Sequence, residues 1–262
     1  MSNHDEQLSP TPGQRAINIF KRPDVKRTLV FGILWTAVFV ILGLYFYPKW
    51  MPEIMSNDMK AMERIMVGFT VISAPIAGLV MGIATQAITN RHKGDTPPPD
   101  GPAIRTNGPV VMVWTVVSGI FCLIAVVWGI AELNSMAIEA KAGSKEAIHI
   151  QVIGSQWVWS FKYTDLGVES DKLMLPIDRP VEFDVISEDV NHSFWPVQLG
   201  VKVDANRLQT TVADTVPTKL GRIDVKCAEL CGLYHAYMET SGEVMTQADF
   251  NNWITSNGGH AA

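Results

Sequence analysis

Four side chains that could bind a soft metal ion lie close together in the segment KCAELCGLYHAYMET, at positions 226–240. They are the thiols of Cys227 and Cys231, the imidazole of His235 and the thioether of Met238. The chain has three cysteines in all, and two of them are four positions apart in this segment. The spacing indicates a metal-binding loop.

A disulfide or a zinc ion would each use only part of this segment. Cysteine pairs outside the cytoplasm commonly form disulfides, and thiolates with imidazoles are ordinary zinc ligands. A disulfide leaves His235 and Met238 without a role, and zinc seldom takes a thioether. Cysteine and methionine together are the soft ligands that favour copper. The residue types therefore favour copper.

The second thiolate distinguishes one copper ion from two. A blue-copper ion takes one cysteine, two histidines and a weak axial methionine, and has no use for a second thiolate. Two thiolates can bridge two copper ions, provided that each ion also receives an imidazole. The second imidazole is best supplied by His192 in NHSFWPVQLG, which follows a predicted strand and is expected in a loop. The other histidines lie in tails, in a loop between spans or within a predicted strand: His4, His92, His149 and His260.

The part of the chain that must position these ligands has the pattern of a β domain. Four segments alternate apolar and polar residues and are rich in β-branched and aromatic types. They are EAIHIQVIG, WVWSFKY, PVEFDVIS and GRIDVKC. Many short strands of this kind predict a β-sandwich or barrel, with a short helix at about 246–255. Residues 132–262 are long enough for one such domain.

Three apolar segments before this domain have the length of membrane-spanning helices. They cover about 28–47, 65–88 and 110–130 and contain no charged residue. A hydrocarbon core about 30 Å thick needs roughly 20 helical residues, which each segment supplies. We therefore expect a transmembrane region at 28–131. The first span is expected to stay uncleaved, because YFYPKWMPE lacks the small residues of a signal-peptide cleavage site.

The charges that flank these segments predict their orientation. Basic residues are concentrated before the first span and between the second and third, and the connection between the first and second is balanced. The positive-inside rule places the tail 1–27 and the loop 91–105 in the cytoplasm. The β domain is then extracytoplasmic. Residues 133–262 hold 17 acidic and 10 basic residues, a net charge of −7.

The ligand segments resemble a known family. CAELCGLYHAYM, HSFWPVQLGVKVDA and SQWVWSFKY together resemble subunit II of the haem–copper cytochrome oxidases, over roughly residues 60–255. The resemblance implies N-terminal transmembrane helices followed by an all-β cupredoxin-like Greek-key sandwich with a binuclear copper centre, CuA. By the same resemblance, Cys227 and Cys231 are expected to bridge both copper ions. The remaining expected ligands are His192 with Met238 on one ion, and His235 with the main-chain carbonyl of Glu229 on the other.

The resemblance assigns two further roles near the copper ions. Trp157 matches the family's exposed tryptophan at which electrons from cytochrome c arrive; an ordinary place in a strand core is the alternative, and the more natural one for Trp159. The carboxylate of Glu229 matches a ligand of a magnesium ion at the junction with the catalytic subunit, and Asp204 matches an acid nearby. Carboxylate oxygens suit Mg²⁺, and its other ligands would come from the partner subunit.

Several positions depart from the family pattern. DANR at 204–207 is two residues shorter than the family's DAIPGR, and Lys226 replaces a glutamine. Val111 stands where the family has a glutamate at the cytoplasmic mouth of a proton path, which leaves that route in question. The family's mature form has two spans, so 28–47 is an additional span or a signal segment.

The resemblance thus implies the electron-accepting subunit of a proton-pumping respiratory oxidase in the inner (plasma) membrane. Expected partners are the haem-bearing subunit I, other oxidase subunits, membrane lipid, and a cytochrome c or small basic copper protein as donor; no nucleic-acid partner is expected. A copper-containing nitric oxide reductase is the alternative left open. A quinol oxidase subunit would lack the copper ligands, a copper-storage protein would have no need for Trp157, and nitrous oxide reductase is soluble and larger.

Overall fold

The computed structural model describes residues 22–90, 108–143 and 147–260. They divide into two units, one made of 22–51 with 65–90 and the other of 52–64 with 108–143 and 147–260. Most of the predicted tail 1–27, the loop 91–105, His4 and His92 lie outside the described residues. The charge pattern that predicts the orientation of the spans therefore lies largely outside them as well.

Three helices within these ranges are long and apolar enough to cross a membrane, and they include the three predicted apolar segments. The first comprises α1 (Pro23–Ile41), a π-helical turn (Leu42–Phe46) and α2 (Tyr47–Trp50). The other two are α3 (Asn57–Thr89) and α4 (Gly108–Gly143). Helix α4 continues well past residue 132, where the sequence predicted the β domain to begin. The reason is that ELNSMAIEAKAG is rich in strong helix formers such as Ala, Glu, Leu and Lys.

In the first unit, α1 and α3 pack through glycines that allow their backbones to touch. A Cβ atom on Gly82 would lie 2.6 Å from the main-chain nitrogen of Gly32, and one on Gly78 would lie 2.7 Å from the Gly32 carbonyl oxygen. Close approach at small residues is a common way for membrane helices to associate. The indole Nε1 of Trp35 also donates a hydrogen bond to Thr85 Oγ1 at 3.0 Å. Helix α1 therefore packs closely against α3.

The second unit contains a sandwich of two five-stranded sheets. Its strands are β1 (Ile148–Ser155), β2 (Val158–Tyr163), β3 (Val168–Ser170), β4 (Leu173–Pro176), β5 (Val181–Ser187), β6 (His192–Pro196), β7 (Val203–Ala205), β8 (Thr211–Thr215), β9 (Gly221–Cys227) and β10 (Glu239–Met245). One sheet has the order β3-β2-β1-β5-β8 and the other β4-β10-β9-β6-β7. The pairs β1–β5 and β4–β10 are parallel, and the other pairs are antiparallel. This confirms the predicted fold class of apolar helices followed by a β-sandwich.

The core follows the period-two pattern by which the strands were predicted. On β9, Ile223, Val225 and Cys227 face inward and are buried. The first of the two site cysteines thus continues the core-facing register of its strand. Tyr163 is fully buried, and its hydroxyl bonds both the carbonyl and the N–H of Met174. Burial raises the pKa of Tyr163, so its phenol stays protonated. The predicted terminal helix is α5 (Gln247–Ser256).

A short segment before α3 is built into this sandwich, and we call residues 52–59 the clasp. Met55 is fully buried in the hydrophobic core. Its N–H donates to the Gln198 carbonyl at 3.1 Å, and its own carbonyl accepts from Thr218 N–H at 2.8 Å. The buried Ser56 hydroxyl donates to the Leu199 carbonyl at 2.6 Å. The β domain is therefore completed by residues that precede it by almost a hundred positions.

Candidate metal centre

His192 and Cys227 lie on two neighbouring strands. His192 is the first residue of β6, and Cys227 is the last residue of β9. The strands are antiparallel, with Phe194 opposite Cys227. The prediction that His192 lies in a loop is wrong, because HSFWP pairs with both β9 and β7 and the turn follows only at residues 197–199. The imidazole is fully buried.

The other candidate ligands lie on the loop 228–238 between β9 and β10, which we call the ligand loop. His235 begins a short 3₁₀ turn, and Met238 immediately precedes β10. The Cys227 N–H donates to the Met238 carbonyl at 3.0 Å, which closes the base of the loop. The Ala228 N–H donates to the Ser193 carbonyl at 2.9 Å, which ties the loop to β6. Both ends of the loop are thus fixed by main-chain hydrogen bonds.

The structure brings all six predicted copper-ligand residues together around two sulfur atoms. The Sγ atoms of Cys227 and Cys231 are 3.8 Å apart, and both thiols are free. The ligand atoms of these cysteines and of His192 lie within 4.8 Å of one another. Cys227 Sγ lies 3.9 Å from His192 Nδ1 and 3.2 Å from the Glu229 carbonyl oxygen, and Cys231 Sγ lies 3.6 Å from His235 Nδ1 and 3.7 Å from Met238 Sδ.

The environment of the cluster keeps the Cys231 thiol neutral without a metal ion. Cys231 and Met238 are buried, and His235 is half-buried. Burial, followed by the neighbouring Cys227 thiol, raises the pKa of Cys231 to about 11. Thiolates are the form that binds metal, so a bound ion has to displace the thiol protons.

A carboxylate that the sequence reasoning missed orients His192. The Nε2 atom of His192 lies 2.8 Å from Asp189 Oδ1, while its Nδ1 faces Cys227. Burial alone would raise the pKa of Asp189, but hydrogen bonds from the Gln156 N–H, His192 and the Val190 N–H outweigh it and lower this pKa. An ionised acceptor favours the tautomer with hydrogen on Nε2, which leaves Nδ1 free to bind a metal. An acid three positions before His192 was the only signal in the sequence.

Aromatic side chains surround the cluster on the side of the core. Trp159 is buried, as expected for a strand-core residue, and its ring contacts those of His192 and Phe194 at centroid distances of 6.0 and 5.7 Å. Phe194 also packs against Phe183, with centroids 5.1 Å apart. These rings form an apolar wall that shields His192 from water.

Trp157 lies beside the ligand loop and is partly accessible to solvent. With Gln156 it forms the two-residue turn between β1 and β2, and it is half-buried. Its ring meets that of Tyr234 on the ligand loop edge to face, with centroids 4.7 Å apart. The ligand loop also exposes large apolar side chains: Leu230, Leu233, Tyr234 and Tyr237. Trp157 is therefore close to the ligand loop and accessible at the surface.

Among the residues that the structure describes, the predicted magnesium ligand is not part of a second cluster of possible metal ligands. The Glu229 side chain is exposed, and its Oε1 accepts from the Leu230 N–H at 3.1 Å. Asp204 is exposed on β7, opposite Ser193. Within the described ranges, the His192 and cysteine group is the one set of three or more His, Cys, Asp or Glu ligand atoms close enough to share an ion. His149 lies on β1, with Nδ1 3.2 Å from Glu182.

Comparison with known proteins shows which proteins the β domain is similar to. Residues 166–244 match the family model for "Cytochrome C oxidase subunit II, periplasmic domain". The matched range contains all six grouped ligand residues, from His192 to Met238. The β domain is therefore similar to the periplasmic domain of cytochrome c oxidase subunit II. The two thiols, two imidazoles and thioether fit copper, because this is a soft sulfur and nitrogen set.

The similarity to individual subunit II proteins is moderate. Cytochrome c oxidase subunit 2 of Synechocystis is 25% identical over 90% of this chain and 84% of its own length. The proteins of the same name from Thermostichus vulcanus and Bacillus sp. PS3 are 38% and 33% identical, and the chain spans 35% and 43% of their lengths. The crystal structure of the periplasmic domain of subunit II from Bradyrhizobium japonicum is 26% identical, with 43% of this chain and 94% of that chain covered and a TM-score of 0.41.

Proposed function

We propose that this chain is a subunit II that accepts single electrons at a binuclear copper centre and passes them to haem in subunit I of a terminal oxidase. That oxidase would reduce oxygen to water and pump protons. One observation carries the proposal: two free thiols lie 3.8 Å apart, and each has an imidazole nitrogen within 4 Å. A second thiolate has no use at a single blue-copper ion, whereas two thiolates can bridge two ions.

The residues of the cluster have distinct tasks in this proposal. The centre, when bound, supplies one-electron oxidation and reduction. Cys227 and Cys231 would bridge both ions, with His192 and Met238 completing one and His235 and the Glu229 carbonyl completing the other. The hydrogen bonds at the base of the ligand loop limit movement of these ligands, and the buried aromatic wall excludes water. Restrained ligands and a dry surrounding favour rapid electron transfer, because little has to rearrange.

The relatives favour an oxidase over a nitric oxide reductase. The proteins from Synechocystis, Thermostichus vulcanus and Bacillus sp. PS3 are all named cytochrome c oxidase subunit 2. We propose that the chain lies in the inner (plasma) membrane with its β domain on the periplasmic side. Three apolar helices and the family's description as a periplasmic domain support this location. Residues 1–27 and the loop between the second and third spans would then be cytoplasmic.

We further propose that the exposed carboxylate of Glu229 contributes to a magnesium site shared with subunit I. Its exposed position is compatible with ligands from a second chain. Carboxylate oxygens are suitable ligands for Mg²⁺, which is usually bound by one or two carboxylates and keeps several waters. The isolated subunit is expected to hold no magnesium.

Electrons are proposed to arrive at Trp157 from a basic cytochrome c or a small basic copper protein. The net charge of −7 on residues 133–262 would attract a cationic carrier. Acidic side chains near the Trp157 turn include the exposed Glu188 and the half-buried Asp189. The exposed apolar side chains of the ligand loop would supply contact area after the encounter.

Metal analysis of the purified full-length chain in detergent tests the copper assignment. We expect two copper ions per chain, because two thiolates need two ions to bridge. Cys227→Ser and Cys231→Ser should each abolish the binuclear site. Cys122→Ser is the matched control, since Cys122 is a free, exposed thiol on α4. One copper ion per wild-type chain, or equal loss in the Cys122 variant, would contradict the proposal.

Stopped-flow reduction by a basic cytochrome c tests the role of Trp157. Trp157→Phe should leave copper content unchanged and slow reduction strongly, whereas Trp253→Phe on α5 should not. The wild-type rate should fall with added salt, because the Debye length shortens from about 10 Å at 0.1 M to about 3 Å at 1 M. An unchanged rate in Trp157→Phe would show that electrons arrive elsewhere, and a rate independent of salt would reject steering by charge.

A further inference from the structure

Gln156 connects the turn that holds Trp157 with the loop that holds Cys231. Its side-chain Nε2 donates to the main-chain carbonyl of Cys231 at 2.7 Å. Its main-chain N–H donates to Asp189 Oδ2 at 2.7 Å. Asp189 in turn holds His192. One residue therefore bonds the ligand loop through its side chain and the histidine-orienting carboxylate through its main chain.

On the ligand loop, Gly232 leaves room for the Gln156 amide. Gly232, the residue after Cys231, has φ +118, a conformation that side chains disfavour. A Cβ atom there would lie 2.9 Å from Gln156 Nε2 and 3.5 Å from Trp157 Nε1. The turn and the ligand loop are thus in direct contact, and glycine is the residue that permits it.

Trp157 has no polar anchor of its own that would hold it against the loop. Its Nε1 is buried and has no hydrogen-bond partner among the described residues. The Tyr234 ring packs edge to face against the indole, but this contact is less directional than a hydrogen bond. The position of Trp157 relative to Cys231 therefore depends on the neighbouring Gln156.

We propose that Gln156 is a positioning residue that holds the Trp157 turn at a fixed distance from the Cys231 thiol. The proposal rests on the copper and tryptophan roles proposed above. Trp157 is bonded covalently to Gln156, and the Gln156 side chain donates one hydrogen bond to the Cys231 carbonyl. Covalent bonds within Cys231 then join this carbonyl to the thiol. Breaking that bond would let the turn and the loop separate, although every copper ligand would still be present.

The test uses the full-length chain in detergent and substitutions at two glutamines of the same hairpin. Gln156→Met keeps the side-chain length and removes the N–H donor, and Gln156→Asn keeps the amide but is too short to reach Cys231. Gln151→Met is the control, because Gln151 lies on β1 opposite Lys162 and is likewise not fully buried. Gln156 is itself exposed, so both of its variants are expected to fold.

Two measurements distinguish positioning from general damage. Amide hydrogen exchange of residues 229–235 in the metal-free chain should be about fivefold faster in both Gln156 variants, as expected for one lost hydrogen bond. In the copper-loaded chain, reduction by a basic cytochrome c should be about tenfold slower. Reduction by hexaammineruthenium(II), a small ion that does not need the Trp157 turn, should be unchanged. Gln151→Met should match the wild type in every measurement.

The outcomes separate this inference from the proposed function. A wild-type chain that binds one copper ion, or none, contradicts the proposed function. A wild-type chain with two copper ions, together with normal exchange and normal reduction in both Gln156 variants, overturns the inference alone. Equal slowing with both reductants also overturns it, because the cluster itself would then be altered. If Gln156→Met binds no copper, the inference is tested by Gln156→Asn and by hydrogen exchange in the metal-free chain.

Discussion

At the scale of single residues, the orientation of His192 depends on Asp189, which is not itself one of the candidate copper ligands. Asp189 accepts from His192 Nε2 and from two main-chain N–H groups, so its carboxylate is fixed and ionised. Such partners of metal-binding histidines set the tautomer and the direction of the ring. The affinity of the centre for copper should therefore depend on Asp189.

Asp189→Asn is expected to weaken copper binding without removing a ligand. The amide can still accept a hydrogen bond, but it lacks the charge that stabilises the Nε2–H tautomer. Loss of such a partner commonly costs about 10- to 100-fold in metal affinity. Competition with a copper chelator measures the effect. Asp184→Asn on β5 is the control, and equal affinity in the two variants would argue against the role of Asp189.

The sequence could identify the ligands but not the residues that support them. Cys227, Cys231, His235 and Met238 share one loop, so their spacing alone indicated a site. His192 was found because the chemistry required a second imidazole and few histidines remained. The bond from Gln156 to Cys231 joins positions 75 residues apart and depends on how a turn packs on a loop. No local pattern predicts such a contact.

At the scale of elements, the packing of α1 on α3 should be sensitive to the size of one residue. A Cβ atom on Gly82 would meet the main-chain N and Cα of Gly32 and the carbonyl of Thr28. These are backbone atoms of α1, so they cannot move aside as a flexible side chain would. The two helices would have to separate.

Gly82→Leu is expected to lower the thermal stability of the helical unit, because inserting bulk at a close contact costs about 1–3 kcal/mol. Gly119→Leu is the matched control, since a Cβ atom at that position of α4 would meet nothing within 4 Å. Thermal unfolding in detergent, followed by circular dichroism, compares the two. Equal melting temperatures for both variants would contradict the packing of α1 against α3.

A cross-strand pair on the β-sandwich gives a pH-dependent expectation. Asp214 on β8 lies opposite Glu182 on β5. Burial, followed by the charge of Glu182, raises the pKa of Asp214. The pKa of Asp214 is therefore higher in the folded state than the value of about 3.9 in the unfolded state. The contribution of neutral Asp214 to stability is fully present below the unfolded-state pKa and is lost as the pH rises through the folded-state pKa.

Asp214→Asn should therefore stabilise the domain at pH 7 and lose this advantage as the pH falls toward 4. The effect should be small, about 0.5 kcal/mol, because Asp214 is largely exposed and solvent screens the repulsion. Denaturant titrations at several pH values measure it, and the gain should shrink in a Glu182→Gln background. If the stability gain of Asp214→Asn grows as the pH falls, the expectation is contradicted.

Element boundaries show where sequence patterns are informative and where they fail. Alternation located β9 at residues 221–227, in agreement with the structure, because one face of that strand is buried. It missed β6, where four of the five residues are buried and no alternation exists. It also placed the start of the β domain at residue 132, whereas good helix formers continue α4 to Gly143. Burial on both faces and intrinsic helix propensity explain these two errors.

At the scale of the whole molecule, the β domain is not a single continuous stretch of chain. The clasp fills part of its core with Met55 and adds main-chain hydrogen bonds near residues 198 and 218. Gln198 also bonds Asp224 on β9, the strand that ends at Cys227. A fragment that begins at residue 133 would lack the clasp and expose the surface that it covers.

Met55→Ala is expected to destabilise the β domain by about 2–5 kcal/mol, as other buried methionines do when truncated. Met66→Ala on α3 is the control, because Met66 is 41% exposed. Tryptophan fluorescence of the full-length chain during denaturant unfolding reports on the domain, which contains Trp159 in its core. Equal midpoints for the two variants would show that the clasp is not part of the domain.

The electron paramagnetic resonance spectrum of the oxidised, copper-loaded full-length chain tests the central claim most directly. One unpaired electron shared equally by two copper nuclei gives a seven-line hyperfine pattern, because both nuclei split the signal. We expect that pattern, from a cluster in which two thiols lie 3.8 Å apart with an imidazole beside each. A four-line pattern, from an electron localised on one copper ion, would contradict the binuclear centre and with it the proposed function.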